Sequence, residues 1–293
     1  MSHPYASLTL VACLLAVGAD GAADTATSYP AHTIDHSQLR ELPRNAAGRH
    51  YQLHIGLPAS YDSESTKRYP VVYVTDAYWD FQKITAIGGA LVYDRVVPEF
   101  ITVGLGYVGQ DLNYGELRRW ELSPAPLDND PAATGHAAEF LQTIKSEIIP
   151  FVEREYRVDS SHRVLAGASL GGLFTLYALF TEPELFHAYI AATPAVVVGN
   201  DWLLQYEDAF ARSGRSLPVR LYVTGGSYEW PSFLAGIHRF NDRIKQRSYP
   251  KLKYAFRLIE EERHAGMQME SYTRGLRFAF EPLAPETGPA SDR

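Results

Sequence analysis

The chain has a single cysteine, Cys13, among 293 residues. That count excludes an internal disulfide framework and any metal site built on clustered cysteines. No apolar run is long enough to span a bilayer. Residues 8–17 (LTLVACLLAV) form a run of ten, about half of the roughly 20 residues a membrane helix needs. Positive charge is in deficit, with 27 Lys plus Arg against 34 Asp plus Glu and a net charge of -7. General attraction to nucleic acid or anionic lipid is therefore not expected, and neither nucleic acid nor stable membrane insertion is a predicted partner. No repeat and no low-complexity tract interrupts the chain, so stacked-repeat architectures are disfavoured. What is present is an ordinary globular composition: 46% hydrophobic residues exclude a mostly disordered protein. The length admits one large α/β domain or two small ones.

The short apolar run has the length of a signal-peptide core. It is followed by Gly18, Ala19, Gly21, Ala22 and Ala23, small residues of the kind a signal peptidase requires. Residues 1–23 are read as a signal peptide, and an exported protein, periplasmic or secreted, is expected. The segment before the run carries no Lys or Arg, only His3, so a buried N-terminal strand is the alternative. Leu10-Val11-Ala12-Cys13 also has the form of a lipidation box, although the apolar run continues past the cysteine. Removal of the signal leaves no cysteine. Residues 30–283 are expected to form one domain, and 284–293 a disordered tail.

From His50 onward, β-rich runs alternate with helical patterns. Strands are predicted at 51–57, 71–75, 100–105, 163–168, 188–192, 219–224 and 252–259. Several are continuous apolar runs, as strands covered on both faces are. Helices are predicted at 136–156, 170–180, 202–212, 233–247 and 267–280. In the first of these, Ala137, Phe140, Leu141, Ile144, Ile148 and Val152 share one face. Such alternation predicts a mostly parallel sheet with helices on both faces. The Pro-rich stretch 123–131 reads as a surface loop.

Gly167-Ala168-Ser169-Leu170-Gly171 fits G-x-S-x-G between a predicted strand and a predicted helix. A strand that turns sharply into a helix strains its corner residue, and the neighbouring glycines relieve the crowding. The serine is thereby presented above the sheet edge, beside N–H groups of the new helix. Ser169 is the candidate nucleophile. A serine hydroxyl needs a base, and His187, His238 and His264 follow it in the chain. His264, in the loop after the last predicted strand, opens at the carboxyl edge of the sheet and is the candidate base. Glu229, the only carboxylate in the loop after strand 219–224, is the candidate third member. Asp201 and the run Glu260 to Glu262 are its rivals, and a Ser–His pair without a third partner remains open. The oxyanion donors are expected to be the N–H of Leu170 and that of Ala77 or Tyr78, in the loop after strand 71–75.

With these residues laid out, the chain resembles the esterase D-like putative esterase family of α/β-hydrolases, in its enterobactin (ferric-siderophore) esterase branch. Tyr69-Pro70-Val71-Val72-Tyr73-Val74-Thr75-Asp76 is similar to the family's YPVLYLLDG, with Ala77 where glycine is usual. Arg118-Arg119-Trp120-Glu121-Leu122-Ser123-Pro124 resembles R-x-x-D-L-T-P, with Glu121 for aspartate. Gly167 to Gly172 matches G-x-S-x-G-G, Gly226 to Glu229 matches G-x-x-E, and His264-Ala265-Gly266 resembles the histidine loop. Thr193-Pro194-Ala195 stands where S-P-S is common, and Val196-Val197 replaces the aromatic pair that follows. The resemblance implies an α/β-hydrolase fold and serine ester hydrolysis without metal or cofactor, on a small-molecule ester. For a catecholate siderophore, the chain offers Arg118, Arg119, Trp79, Tyr107 and Trp230, with Tyr78 and Tyr114 beside them. A carbohydrate acyl (acetyl or feruloyl) esterase and a non-catalytic binding protein on the same scaffold are the alternatives.

Overall fold

The computed structural model describes residues 32–127 and 135–284. The expected signal segment, Cys13, most of the expected tail and part of the 123–131 loop lie outside the described residues. From Ile34 onward the chain forms one compact unit built on an eight-stranded sheet. The strands are β1 (Ser37–Glu41), β2 (Tyr51–Gly56), β3 (Tyr69–Val74), β4 (Ile101–Tyr107), β5 (Val158–Ala168), β6 (Ala188–Ala192), β7 (Arg220–Gly226) and β8 (Lys253–Ile259). Their spatial order is β1-β2-β4-β3-β5-β6-β7-β8. β2 runs antiparallel to both its neighbours, and all other pairings are parallel. This is the α/β-hydrolase arrangement the sequence predicts.

The side-chain period of two sorts each central strand between two cores. On β3, Val71 and Tyr73 join one buried cluster while Val72 and Val74 join the other. The first cluster receives the helices α2 (Tyr114–Leu122), α3 (Ala137–Thr143), α4 (Ile149–Glu155), α5 (Leu170–Thr181), α6 (Val198–Arg212) and α7 (Pro231–Arg247). The second is covered by α1 (Ala77–Tyr93) and α8 (Gln268–Phe280) through Ile84, Leu91, Tyr272, Leu276 and Phe280. Helices thus lie on both faces. Gly275 lets α8 sit close on β6, because a Cβ there would stand 2.5 Å from Ile190 Cγ2.

Three departures from the sequence reading have local causes. The predicted helix 136–156 is α3 and α4 joined by one π turn, Ile144–Ile148. Pro150 at the start of α4 has no N–H for the Ser146 carbonyl, so the ladder widens there. β1 was not expected, since its polar residues lie on a half-exposed sheet edge. Residues 76–79, read as a loop, are instead the entry to α1. Its apolar spacing (Ala77, Phe81, Ile84, Leu91) is helical, but the Gly88-Gly89 pair hides it. Gly88 is needed for close packing, since a Cβ there would lie 2.5 Å from the Phe100 ring. Among the described residues no helix is long and apolar enough to cross a membrane.

Candidate active site

Ser169 stands between β5 and α5 with φ 60° and ψ -117°, a conformation that costs a non-glycine residue about 1–3 kcal/mol. The surroundings enforce it. Its N–H donates to Ala192 O at 3.0 Å, and its carbonyl accepts from Leu173 N at 2.9 Å and Ala195 N at 3.0 Å. The turn is so tight that a Cβ on Gly167 would lie 2.4 Å from Gly171 O. One on Gly171 would lie 2.2 Å from Thr75 Oγ1. Both glycines of G-x-S-x-G are therefore steric requirements of the strand–helix crossing.

Glu229 and His264 follow β7 and β8, so parallel neighbours deliver both side chains to one sheet edge. Their two loops are laced together. Ser227 N donates to Ile259 O at 2.8 Å, Tyr228 N to Glu262 O at 2.9 Å, and Glu261 N to Ser227 Oγ at 2.7 Å. Gly226 permits this approach, since a Cβ there would meet Glu262 O at 2.4 Å. His264 Nδ1 lies 3.0 Å from each carboxylate oxygen of Glu229. A carboxylate only accepts, so Nδ1 carries the proton and Nε2 is left with its lone pair. Thr193 Oγ1 donates to Glu229 Oε2. Burial opposes the charge on Glu229, but the bonds from His264 and Thr193 outweigh it and hold the carboxyl below the ordinary glutamate range. The rivals are elsewhere: Asp201 pairs with Arg239 at 2.5 Å, and Glu260 and Glu261 are exposed.

The third part of the edge is the start of α1, reached through Asp76 in the left-handed region at φ 54° and ψ 49°. The Asp76 carbonyl accepts from Trp79 N at 2.8 Å and Asp80 N at 3.0 Å. Ala77 and Tyr78 thus carry first-turn amides, which a helix leaves without an intrahelical acceptor. Leu170 does the same for α5. β3 and β5 are adjacent, so the two helix starts face one edge, where positive partial charge accumulates. Arg118 fixes this turn from α2: its Nε and Nη2 donate to the two Asp76 carboxylate oxygens at 2.8 and 2.9 Å.

Ser169, His264, Trp79, Arg118, Lys83 and Gln268 line one cleft of about 270 Å³. Ser169 and His264 share it without a hydrogen bond between them. Of the residues expected to meet substrate, Trp79 and Arg118 reach the cleft, Arg118 with its fork already engaged by Asp76. Arg119 does not line it; its Nε is buried without a hydrogen-bond partner. The two are neighbours on a helix, so one facing the cleft turns the other away. Tyr107 packs between Tyr51 and Tyr114, with ring centroids at 6.3 and 6.2 Å, rather than in the cleft. Trp230 is exposed and lies against the outside of the His264 ring at 5.0 Å. Tyr78 stacks on Tyr114 at 4.3 Å, and both rings lie against Trp79, at 5.3 and 6.2 Å, without lining the cleft themselves. Thr193, Asp76, Lys83 and Gln268 were not singled out from the sequence. Two of them carried a signal: Asp76 matches the aspartate of YPVLYLLDG, and Thr193 stands where the resemblance has a serine.

The pattern of the family described as Putative esterase matches residues 44–223. The chain is 26% identical over 271 residues to the ferri-bacillibactin esterase BesA of Bacillus subtilis, covering 87% of this chain and 93% of that protein. It is 29% identical over 193 residues to a siderophore triacetylfusarinine C esterase of Aspergillus fumigatus, covering 63% of this chain and 66% of that one. The crystal structure of the BES protein from Bacillus cereus superposes with a TM-score of 0.77 at 27% identity, over 87% of this chain and 99% of that one. A strained serine elbow, a histidine bonded to a buried glutamate and two facing helix starts on this sheet agree with the match, and the chain belongs to the Putative esterase family of α/β-hydrolase fold.

Proposed function

We propose that this protein is a serine esterase that opens the ester bonds of a siderophore through an acyl-enzyme. The observation that carries the chemistry is His264 Nδ1 held by both oxygens of Glu229 in the cleft that displays Ser169. As an ester enters, Ser169 Oγ attacks its carbonyl carbon while His264 Nε2 takes the hydroxyl proton. Glu229 stabilises the imidazolium that results. The tetrahedral oxyanion accepts hydrogen bonds from the Leu170 amide and from the Ala77 or Tyr78 amide. His264 returns its proton to the leaving alkoxide, the C–O bond breaks, and Ser169 holds the acyl group. Water, deprotonated by the same Nε2, then releases the acid and restores the serine. The absent Ser169–His264 bond is compatible with this sequence, since such bonds often close only when substrate binds. No resident metal or cofactor takes part in these steps.

The siderophore substrate rests on the activities named for the two curated relatives and on the rings of Trp79, Tyr78 and Tyr114 beside the cleft. An uncharged carbohydrate acyl ester is the second reading. It is favoured by one observation: the Arg118–Arg119 pair does not present two free guanidinium groups to the cleft. Hydrolysis of a tricatecholate trilactone, compared with that of acetylated and feruloylated sugars, separates the two. The trilactone is expected to be preferred; exclusive turnover of the sugar esters would reverse the assignment. Ser169→Ala is expected to lower the favoured rate by about 10³-fold or more and to abolish fluorophosphonate labelling. Near-normal turnover by that variant would end the serine mechanism.

A further inference from the structure

We propose that Lys83 is the specificity-determining cation of the cleft, and that it receives an anionic oxygen carried on an aromatic ring stacked at Trp79. This deepens the esterase reading by naming what the cleft selects. A protein of net charge -7 repels an anionic substrate at long range, so a local cation has to supply the attraction. The cleft holds two ion pairs, Arg118 with Asp76 and Lys83 with Asp80. In each the acid lies beneath and the cation above: side-chain exposure is 5% for Asp76 against 18% for Arg118, and 3% for Asp80 against 28% for Lys83. Both acids line the cleft as well, but the cations are the more exposed members of the two pairs and so the more accessible to an anion.

The two cations differ in what they have left to give. Arg118 uses one hydrogen each of Nε and Nη2 on Asp76, so its three remaining N–H donors are fixed in the plane of that fork. Lys83 Nζ donates to Asp80 Oδ1 at 2.7 Å and to Gln268 Oε1 at 2.6 Å, which leaves the third hydrogen of the ammonium. Asp80 is itself held from below by the Tyr272 hydroxyl, so the ammonium is tethered in place before any ligand arrives. Trp79 precedes Lys83 by four residues on α1, the spacing that puts two side chains on one helix face, and both line the cleft. Arg118 lies over the Trp79 ring at 5.5 Å, but the ring is still 44% exposed, so it can stack an aromatic ligand while the ammonium supplies a charged hydrogen bond at the edge. The shared chemistry is an aryl group bearing a negative oxygen, whether carboxylate or phenolate.

The test is equilibrium binding, which does not depend on turnover. Calorimetric Kd values are measured at pH 7 for 2,3-dihydroxybenzoate and for its uncharged amide, with the full chain, Lys83→Gln and Lys83→Arg. Lys83→Gln is expected to weaken the benzoate tenfold or more and the amide less than threefold. Lys83→Arg is expected to keep the benzoate within about threefold. With the unaltered chain, raising salt from 50 to 500 mM is expected to weaken the benzoate alone, a readout that survives if a variant fails to fold. The iron-loaded catecholamide, charged only on its phenolates, tells the two oxygen types apart. Tenfold weaker binding of it to Lys83→Gln assigns the phenolate; a loss confined to the benzoate assigns the carboxylate. Equal affinity of the unaltered chain for acid and amide overturns the proposal, as does an equal loss of both in Lys83→Gln. A chain that binds the benzoate through Lys83 yet hydrolyses no trilactone would refute the substrate assignment and leave this inference standing.

Discussion

At the scale of single residues, the site depends on groups whose charge or conformation is costly alone. Glu229 is a buried carboxylate kept ionised by two donors, His264 Nδ1 and Thr193 Oγ1. Because its folded pKa is depressed, its contribution to stability is present above the unfolded glutamate range and is lost as pH falls through the folded value. The pair that orients His264 is therefore intact throughout the neutral range. Glu229→Gln keeps the shape and removes the charge, and kcat is expected to drop by about 10³–10⁴-fold with little change in KM. Steady-state kinetics on a chromogenic ester checks this, with Asp201→Asn as the control. Loss in Asp201→Asn and retention in Glu229→Gln would move the acid to the rival position. That Ser169, His264 and Glu229 come to one sheet edge was legible in the sequence, because each follows a strand in the order that a parallel sheet brings together.

At the scale of elements, two strand–helix turns press against each other. The first is Thr75–Asp76 into α1, and the second is Ser169 into α5. Gly171 is the contact: a Cβ on it would stand 2.2 Å from Thr75 Oγ1 and 3.1 Å from Asp76 Oδ2. Thr75 Oγ1 is buried and makes no hydrogen bond, so its removal sacrifices little. Gly171→Ala is expected to cost about 1–3 kcal/mol by overpacking and to depress kcat by separating the amides of Ala77 and Leu170. Thr75→Ala, added to it, is expected to restore at least half of the lost stability in a double-mutant cycle read by urea denaturation. Additive losses would show that the two turns are not in steric register. The glycine was visible in the motif, but the threonine it must clear was not, because they lie about a hundred residues apart in the chain.

At the scale of the molecule, stability carries a pH term from a group outside the cleft. Glu121 of α2 is fully buried, and Tyr51 OH donates to its Oε1 at 2.8 Å. Burial pushes its carboxyl up to about 7, against the Tyr51 and Tyr107 hydroxyls, which pull it down. A raised folded pKa means stability is fully present below the unfolded pKa and is lost as pH rises through the folded one. The loss between about 4.5 and 7 is roughly 3 kcal/mol. Glu121→Gln accepts the Tyr51 bond without titrating. Its stability relative to the unaltered protein is expected to rise from pH 5 to pH 8, measured by urea midpoints. A difference independent of pH would show that Glu121 is already ionised at pH 5.

The sequence by itself determined the parallel sheet, the serine elbow and the Ser–Glu–His order. Apolar periodicity and glycine placement are local signals, and strand order then carries each following loop to the same edge. It could not decide which side chains face the cleft. Arg118 and Arg119 are equivalent in the sequence. Only the helix direction and the nearness of Asp76, 42 residues away, turn one into a tethered wall and the other away. Lys83 was hidden for the same reason: Asp80 is a local neighbour, but Gln268 meets Lys83 across 185 residues only when α8 folds back beside α1. The net charge of -7 set the puzzle of how an anion would be attracted. The tertiary structure places two ion pairs at the cleft, each with its cation more exposed than its acid, because the carboxylates are packed beneath them.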